Sequence, residues 1–133
     1  MNMTKINISA DMLQLLKKKD LVNKDLLLIT DDGGGKYSLQ GGACSIGAKF
    51  SIVELDQPDP EYPIEIENDH GIKLFTSSYD QTFLGAGLAL DFKRSLIILK
   101  DNSGRLDGAV TIANGKEITE AFEKGTIASG QTC

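Results

Sequence analysis

Apolar and polar residues alternate along the chain in short runs, a spacing typical of β-strands. Residues 3–8 alternate polar and apolar side chains, which predicts a short edge strand. Residues 25–30 are almost continuously apolar and predict a strand buried on both faces. Residues 48–55 are rich in β-branched and aromatic side chains, which favour a strand. Two prolines in residues 56–61 predict an exposed loop after it.

The second half of the chain carries repeated turn signals between short apolar runs. We expect further strands over residues 64–67, 72–76, 88–92, 95–100 and 107–112. A hairpin-type turn over residues 68–71 separates the first two, and the next two meet near Lys93 and Arg94. About seven or eight short strands at regular spacing predict a sandwich-like or barrel-like packing of sheets.

Two helices are predicted beside these strands. Ser9 is a natural N-cap, because its hydroxyl can accept a hydrogen bond from an unpaired amide of the first turn. Apolar side chains that include Met12 and Leu16 then give one face of a helix over residues 10–19. Ser77 is placed to cap a short second helix. The predicted class is therefore mainly β (α+β), with one N-terminal helix and a short second helix.

The last part of the chain differs from the rest. From Asn114 onward the residues are mostly polar, and only Ile118, Phe122 and Ile127 are spaced to suit a marginal helix. We expect one domain over residues 1–113, which is long enough to bury a real core, and a weakly ordered tail over residues 114–133.

Composition and charge exclude several classes of function. A formal net charge of −5 opposes the contiguous basic face that nucleic-acid binding requires. The longest apolar runs fall far short of the roughly 18–20 residues that a membrane-spanning helix requires. Residues 1–5 lack the apolar region of a signal peptide. We expect a cytoplasmic protein that binds neither nucleic acid nor membranes.

A glycine-rich loop over residues 31–36 holds the first candidate ligands. The phosphate-binding loop pattern fails there, because Lys36 is followed by Tyr37 rather than by Ser or Thr. Asp31 and Asp32 would also repel phosphate. Their carboxylates are candidate ligands for a hard cation, although turn initiation by Asp before Gly explains them without a ligand.

Cys44 lies among small, flexible residues just before the strand predicted over residues 48–55. Small neighbours would let a cluster or another chain approach the sulfur, and adjacent amides can lower the pKa of a thiol. The other interpretation is a buried, inert cysteine that acts as a small hydrophobe, which is common. The second cysteine, Cys133, forms neither a CxxC pair nor a disulfide framework with it.

Residue types and spacing give no support for catalysis. His70 lies in a predicted turn, has no nucleophile beside it in sequence, and has no second His at metal-ligand spacing. No acid–base pair, triad or cofactor fingerprint is present. We expect that the protein is not an enzyme.

Three segments occur in an order and spacing that resemble a known family. They are Gly41-Gly42-Ala43-Cys44-Ser45 leading into Phe50, the turn over residues 66–72, and residues 88–92. Over residues 24–112 the chain resembles the HesB-like, or A-type iron–sulfur carrier, domain. It is more similar to a short subgroup from low-GC Gram-positive bacteria, which shares the Asp-Asp-Gly loop, the Cys-Ser pair and a segment like residues 101–107. The resemblance implies a compact fold of small mixed β-sheets with a helix alongside.

The resemblance also implies a metal site, of which this chain keeps only part. In the well-studied branch, three cysteines bind iron or an iron–sulfur cluster, usually across a homodimer. Cys44 matches the cysteine of the Gly-rich loop, whereas residues 110–114, Val-Thr-Ile-Ala-Asn, stand where a Cys-Gly-Cys pair would fall. Because clusters are generally held by four ligands, Cys133, Asp31 or Asp32 would have to complete an iron site.

Two functions therefore remain open. The first is an A-type carrier-like protein that binds iron or an Fe–S cluster through Cys44, with iron–sulfur assembly proteins or apo-protein clients as partners. The second is a family relative that binds no metal and acts as a protein–protein interaction module.

Overall fold

Ten strands and two helices form within the described residues, 4–30 and 49–115, of the computed structural model. The first elements are β1 (Thr4–Lys5), β2 (Asn7–Ile8), α1 (Ala10–Lys18), β3 (Asp25–Thr30) and β4 (Phe50–Leu55). They are followed by β5 (Ile64–Glu67), β6 (Lys73–Thr76), α2 (Ser78–Gln81), β7 (Ala89–Lys93), β8 (Leu96–Asp101), β9 (Gly104–Asp107) and β10 (Thr111–Asn114). No helix in this part of the chain is both long and apolar enough to cross a membrane.

The larger sheet has six strands in the order β1-β5-β6-β3-β4-β10. It is mixed, because β3 runs antiparallel to β4 and parallel to β6. Leu26 through Thr30 are all buried, which confirms the prediction of a strand covered on both faces. The β3–β4 ladder runs from Asp25 opposite Leu55 to Thr30 opposite Phe50.

The smaller sheet has four strands in the order β2-β7-β8-β9. Its central hairpin joins β7 to β8 through a two-residue turn, Arg94 and Ser95, with Lys93 opposite Leu96. Both turn residues have positive φ, 53° for Arg94 and 66° for Ser95. Two consecutive positive φ angles are the pattern of a type I′ turn, whose twist matches that of the strands beside it.

The main hydrophobic core joins both sheets and α1. Met12 and Leu16 of α1 are fully buried in it, together with Leu26 and Leu28 of β3 and Leu90 of β7. Burial of each such side chain stabilises the fold by about 1.5–3 kcal/mol relative to exposure. A second cluster lies on the other face of the larger sheet and consists of Leu27, Ile29, Val53 and Leu55.

Local signals in the sequence are confirmed at both helix starts. Ser9 is the N-cap of α1, and its Oγ accepts a hydrogen bond from the amide of Met12 at 3.1 Å. Ser77 caps α2 in the same way, with the amide of Asp80 as donor at 3.1 Å. The two hairpins also form as predicted, as β5–β6 and β7–β8. The mainly β, α+β class with mixed sheets is confirmed.

The prediction of one edge strand over residues 3–8 was wrong. The chain forms two short strands there: β1 lies beside β5 in the larger sheet, and β2 lies beside β7 in the smaller one. Ile6 lies between them, buried, with its amide bonded to the carbonyl of Glu67 at 2.8 Å. Alternating side chains suit either sheet, so the pattern alone could not reveal the crossing.

One strand over residues 107–112 was also a wrong prediction. β9 ends at Asp107 in the smaller sheet, and β10 begins at Thr111 in the larger one. A bend between them is held by the Asp107 carboxylate, which accepts from the amide of Ala109 at 2.9 Å. The tail predicted over residues 114–133 lies, from residue 116 onward, outside the described residues, and the 1–113 domain boundary stays a prediction.

Candidate functional site

All four predicted metal ligands lie outside the described residues. Asp31, Asp32 and Cys44 fall within residues 31–48, and Cys133 within residues 116–133. The structure does describe where the chain leaves β3 and where it enters β4. Thr30 and Phe50 are opposite each other on neighbouring strands, so both ends of the segment that carries Cys44 lie side by side.

Asp80 holds the outgoing end of this segment. It lies at the start of α2 and is 5% exposed. Its Oδ1 accepts hydrogen bonds from the amide and the hydroxyl of Thr30, at 2.9 and 2.7 Å. Its Oδ2 accepts from the hydroxyl of Ser77 at 2.5 Å. A carboxylate can be buried at little cost only when such donors replace the water it has lost.

Asp107 holds the returning end in a similar way. It lies at the end of β9 and is 8% exposed. Its Oδ2 accepts from the amide of Phe50 at 2.8 Å and lies 3.6 Å from Nζ of Lys49. The same ammonium group donates to the carbonyl of Ala109. We call Asp80 and Asp107 together the loop clamp.

The loop clamp was missed by sequence reasoning. Ser77 and Asp80 are spaced as in a capping box, so a short-range signal for Asp80 existed. Asp107 has no such signal, because its partner Phe50 is 57 positions away in the sequence. Both carboxylates accept hydrogen bonds from protein donors through each of their oxygens, which gives them a structural role at the two ends of the loop.

Within residues 4–30 and 49–115, no three His, Cys, Asp or Glu side chains are close enough to hold a metal ion together. His70 contacts the backbone instead. Its Nε2 lies 3.1 Å from the carbonyl oxygen of Ile8, and this contact links the β5–β6 turn to β2. The turn itself is organised by Asn68, whose Oδ1 accepts from the amides of His70 and Ile72. The geometry gives His70 a structural role.

A cavity of about 420 Å³ lies where β1 and β2 cross between the sheets. Its lining includes Lys5, Asn7, Glu67 and Asp69. The Oε2 atom of Glu67 is buried and has no hydrogen-bond partner among the described residues. The cavity lining shares no residue with the loop clamp.

Comparison with known families shows which family contains a loop of this kind between β3 and β4. The family model described as iron-sulphur cluster biosynthesis matches residues 4–114, which include this loop and both carboxylates of the loop clamp. The chain belongs to the iron–sulphur cluster biosynthesis family. The HesB-like resemblance of the sequence is thereby confirmed.

Two solved structures are similar to this member of the family, and both are provisionally assigned to Fe–S biosynthesis. One, from Lactobacillus acidophilus, is 38% identical, with a TM-score of 0.81 over 90% of this chain and 97% of that one. The other, from Lactobacillus salivarius, is 26% identical, with a TM-score of 0.66 over 83% of this chain and 97% of that one. No curated protein matches the chain. The structural likeness supports a function in Fe–S cluster biosynthesis.

Proposed function

We propose that this family member binds iron or an iron–sulfur cluster as a cargo through Cys44 and acts as a carrier, not as an enzyme. The observation that supports this most directly is the loop clamp. Two buried carboxylates hold the backbone amides at both ends of the segment that carries Cys44. Such anchoring fixes where a ligand-bearing loop begins and ends on a rigid sheet, which lowers the entropy cost of binding.

The number of protein ligands in this chain limits how iron or a cluster could be bound. Where the family resemblance places the Cys-Gly-Cys pair, this chain has β10, which pairs with residues 51–54 of β4. One thiol from each of two chains gives two ligands, whereas clusters generally take four. Cys133 of both chains, or the carboxylates of Asp31 and Asp32, would complete the site in a homodimer. A site with few protein thiols would release its cargo readily, as a carrier must.

Anaerobic reconstitution with ferrous iron and sulfide tests the proposal. We expect the wild type to become brown and to show visible charge-transfer absorbance, and Cys44→Ser to stay colourless. Cys133→Ser removes the other thiol of the chain and distinguishes the two ways of completing the site. The colour is lost if Cys133 is a ligand, and it is kept if Asp31 and Asp32 complete the site. Circular dichroism of each variant checks that the fold is retained. A wild type that stays colourless and binds no ferrous iron would contradict the proposal.

A second function is favoured by the absence of the Cys-Gly-Cys pair. In that case the protein is a relative that binds no metal and acts through contacts with other proteins. It would stay colourless, and Cys44→Ser would change neither its stability nor its partners. Pull-down with wild type and Cys44→Ser separates the two functions.

The proposed partners are iron–sulfur assembly proteins or apo-protein clients in the cytoplasm. Light scattering of the purified protein with and without ferrous iron tests the proposed homodimer. If iron is bound between two chains, the mass should double on loading, and Cys44→Ser should remain at the mass of the metal-free protein.

A further inference from the structure

An open groove of about 1050 Å³ lies between α1 and the β7–β8 hairpin. Two cations of α1, Lys17 and Lys18, lie along it, and Lys93 and Arg94 of the hairpin lie along it too. Leu15 and Phe92 also line it, and both are partly buried against the main core. We call these six residues the basic groove.

The charge of the basic groove is opposite to that of the chain. Its four cations and the neighbouring Asp11 give a local formal charge of +3, which leaves −8 for the rest of a chain whose total is −5. Lys17 and Lys18 are in the last turn of α1, where cations are favourable beside the negative helix end. That effect explains the helix cations, but it does not explain the two cations of the hairpin.

Most of these cations are unpaired in the described structure. Nζ of Lys93 lies 3.4 Å from the carboxylate of Asp91, and the Lys93 side chain is 65% exposed. Lys17, Lys18 and Arg94 have no carboxylate within ion-pair distance among the described residues. They are therefore available to an anionic partner.

The hairpin turn holds Arg94 in a backbone conformation that is unfavourable for an arginine. Arg94 has a φ of 53°, and Ser95 has a φ of 66°. Asn-Gly is the usual sequence of such a turn, since L side chains are strained in the left-handed region. An arginine at the first position lowers the stability of the turn while it adds a cation to the basic groove.

We propose that the basic groove binds an acidic, extended segment of a protein partner, with an apolar side chain of that segment against Leu15 and Phe92. Charge complementarity favours an acidic partner and steers its approach. A polypeptide fits better than a nucleic acid, because the groove lining includes the apolar side chains of Leu15 and Phe92 and the rest of the chain carries a net negative charge. None of the six residues of the basic groove is a proposed iron ligand, so the inference does not rest on iron binding.

Fluorescence anisotropy with a labelled synthetic peptide tests the inference on the full chain. The probe has glutamates alternating with glycines around one central Phe, and a matched peptide has Gln in place of Glu. We expect Lys17→Glu/Lys18→Glu and Lys93→Glu/Arg94→Glu each to weaken binding of the acidic peptide by about tenfold or more, since attraction becomes repulsion. Lys73→Glu/Lys100→Glu is the control, because it changes the net charge equally at exposed positions outside the groove lining. Lys73 is on β6, and Lys100 is at the end of β8 that lies away from the hairpin turn.

Further measurements separate groove binding from other causes. Binding should weaken as salt is raised, since exposed charges are screened. Amide chemical shifts should change around α1 and the β7–β8 turn when the acidic peptide is added. Gln variants of the same four cations should also lose affinity, and they guard against a loss of fold in the Glu variants.

Four outcomes would overturn the inference. The first is equal binding by the groove and control variants, and the second is equal binding of the Glu and Gln peptides. The third is tighter binding of a single-stranded oligonucleotide than of the acidic peptide. The fourth is a gain in peptide affinity after Glu117→Gln, Glu120→Gln and Glu123→Gln that is absent after Asp20→Asn, Glu65→Gln and Asp69→Asn. The two sets change the net charge equally, so such a difference would identify the chain's own C-terminal segment as the occupant.

Discussion

The loop clamp and the basic groove both contain charged side chains, but these side chains differ in burial and in whether they have partners within the chain. In the loop clamp, Asp80 and Asp107 are buried and each oxygen accepts from a donor of the same chain. In the basic groove, Lys17, Lys18 and Arg94 pair with no carboxylate of the described residues. Buried charge has to be satisfied within the fold, whereas exposed charge stays free to meet a partner. The clamp is therefore tested by stability and the groove by binding.

Asp80→Ala should give the largest loss of stability. It leaves the amide and hydroxyl of Thr30 without their acceptor in a buried environment. We expect the free energy of unfolding to fall by about 3 kcal/mol, as measured by urea denaturation. Asp69→Ala is the control, because Asp69 is an exposed carboxylate in a turn, and it should change stability by no more than about 0.5 kcal/mol. Equal losses for both variants would show that Asp80 does not act through its buried bonds.

Asp107→Asn should have a smaller effect on the same measurement. The amide group can accept through one atom only, so either Phe50 or Ala109 loses its acceptor and faces another donor. We expect a loss of about 2 kcal/mol. Lys49→Gln removes the ammonium group that contacts Asp107 and the carbonyl of Ala109. The Lys49 side chain is 25% exposed, so this variant should cost at most about 1 kcal/mol. If Lys49→Gln cost more than Asp107→Asn, the ion pair rather than the amide bonds would hold this end of the loop.

Ser95→Gly should stabilise the protein while leaving the charge of the basic groove intact. Its φ of 66° is costly for serine and free of strain for glycine. We expect a gain of up to about 1 kcal/mol in the free energy of unfolding. The same variant should bind the acidic peptide as the wild type does. A loss of affinity would mean that the shape of the turn, and not only its cation, matters to the groove.

Asp91 should give the smallest effect, and one that depends on pH. The hydroxyl of Ser9, followed by the amide of Phe92 and by Lys93, holds the pKa of Asp91 below 3.8. A lowered folded-state pKa means that the charged form contributes stability above the unfolded value and that this contribution is lost as pH falls through the folded value. Asp91→Asn should therefore destabilise the protein near neutral pH, and the difference from wild type should shrink as the pH falls below 3.8.

Lys93→Gln separates the causes at Asp91. Because the Ser9 hydrogen bond is the larger cause and Lys93 is mostly exposed, this variant should keep most of the pH dependence. A variant that lost all of it would show that the ion pair dominates.

Part of the candidate site was accessible from sequence and part was not. The Gly-rich setting of Cys44, taken with the turn over residues 66–72 and with residues 88–92, was enough to identify the family. The anchoring of that loop could not be predicted in full. Asp80 belongs to a short capping pattern, but its bond to Thr30 spans 50 positions, and the bond from Phe50 to Asp107 spans 57. Contacts at such separations leave no local pattern in a single sequence.

The basic groove could not be predicted from the sequence either, because it also depends on contacts between residues far apart in the chain. In the sequence, Lys17 and Lys18 lie near the end of one predicted helix, and Lys93 and Arg94 lie at a predicted hairpin turn 75 positions further on. Only the packing of that hairpin against α1 places the four cations on one surface.

The sequence by itself determined the elements whose signals are short-range. These elements are helix α1 with its N-cap Ser9, the buried strand β3, and the two hairpins. Each follows from residues within a few positions of one another. Only the tertiary structure decided which strands pair in parallel, that residues 3–8 divide between two sheets, and that β9 and β10 part at Asp107. Periodicity records which face of a strand is buried, but the identity of the strand beside it depends on contacts made across the whole chain.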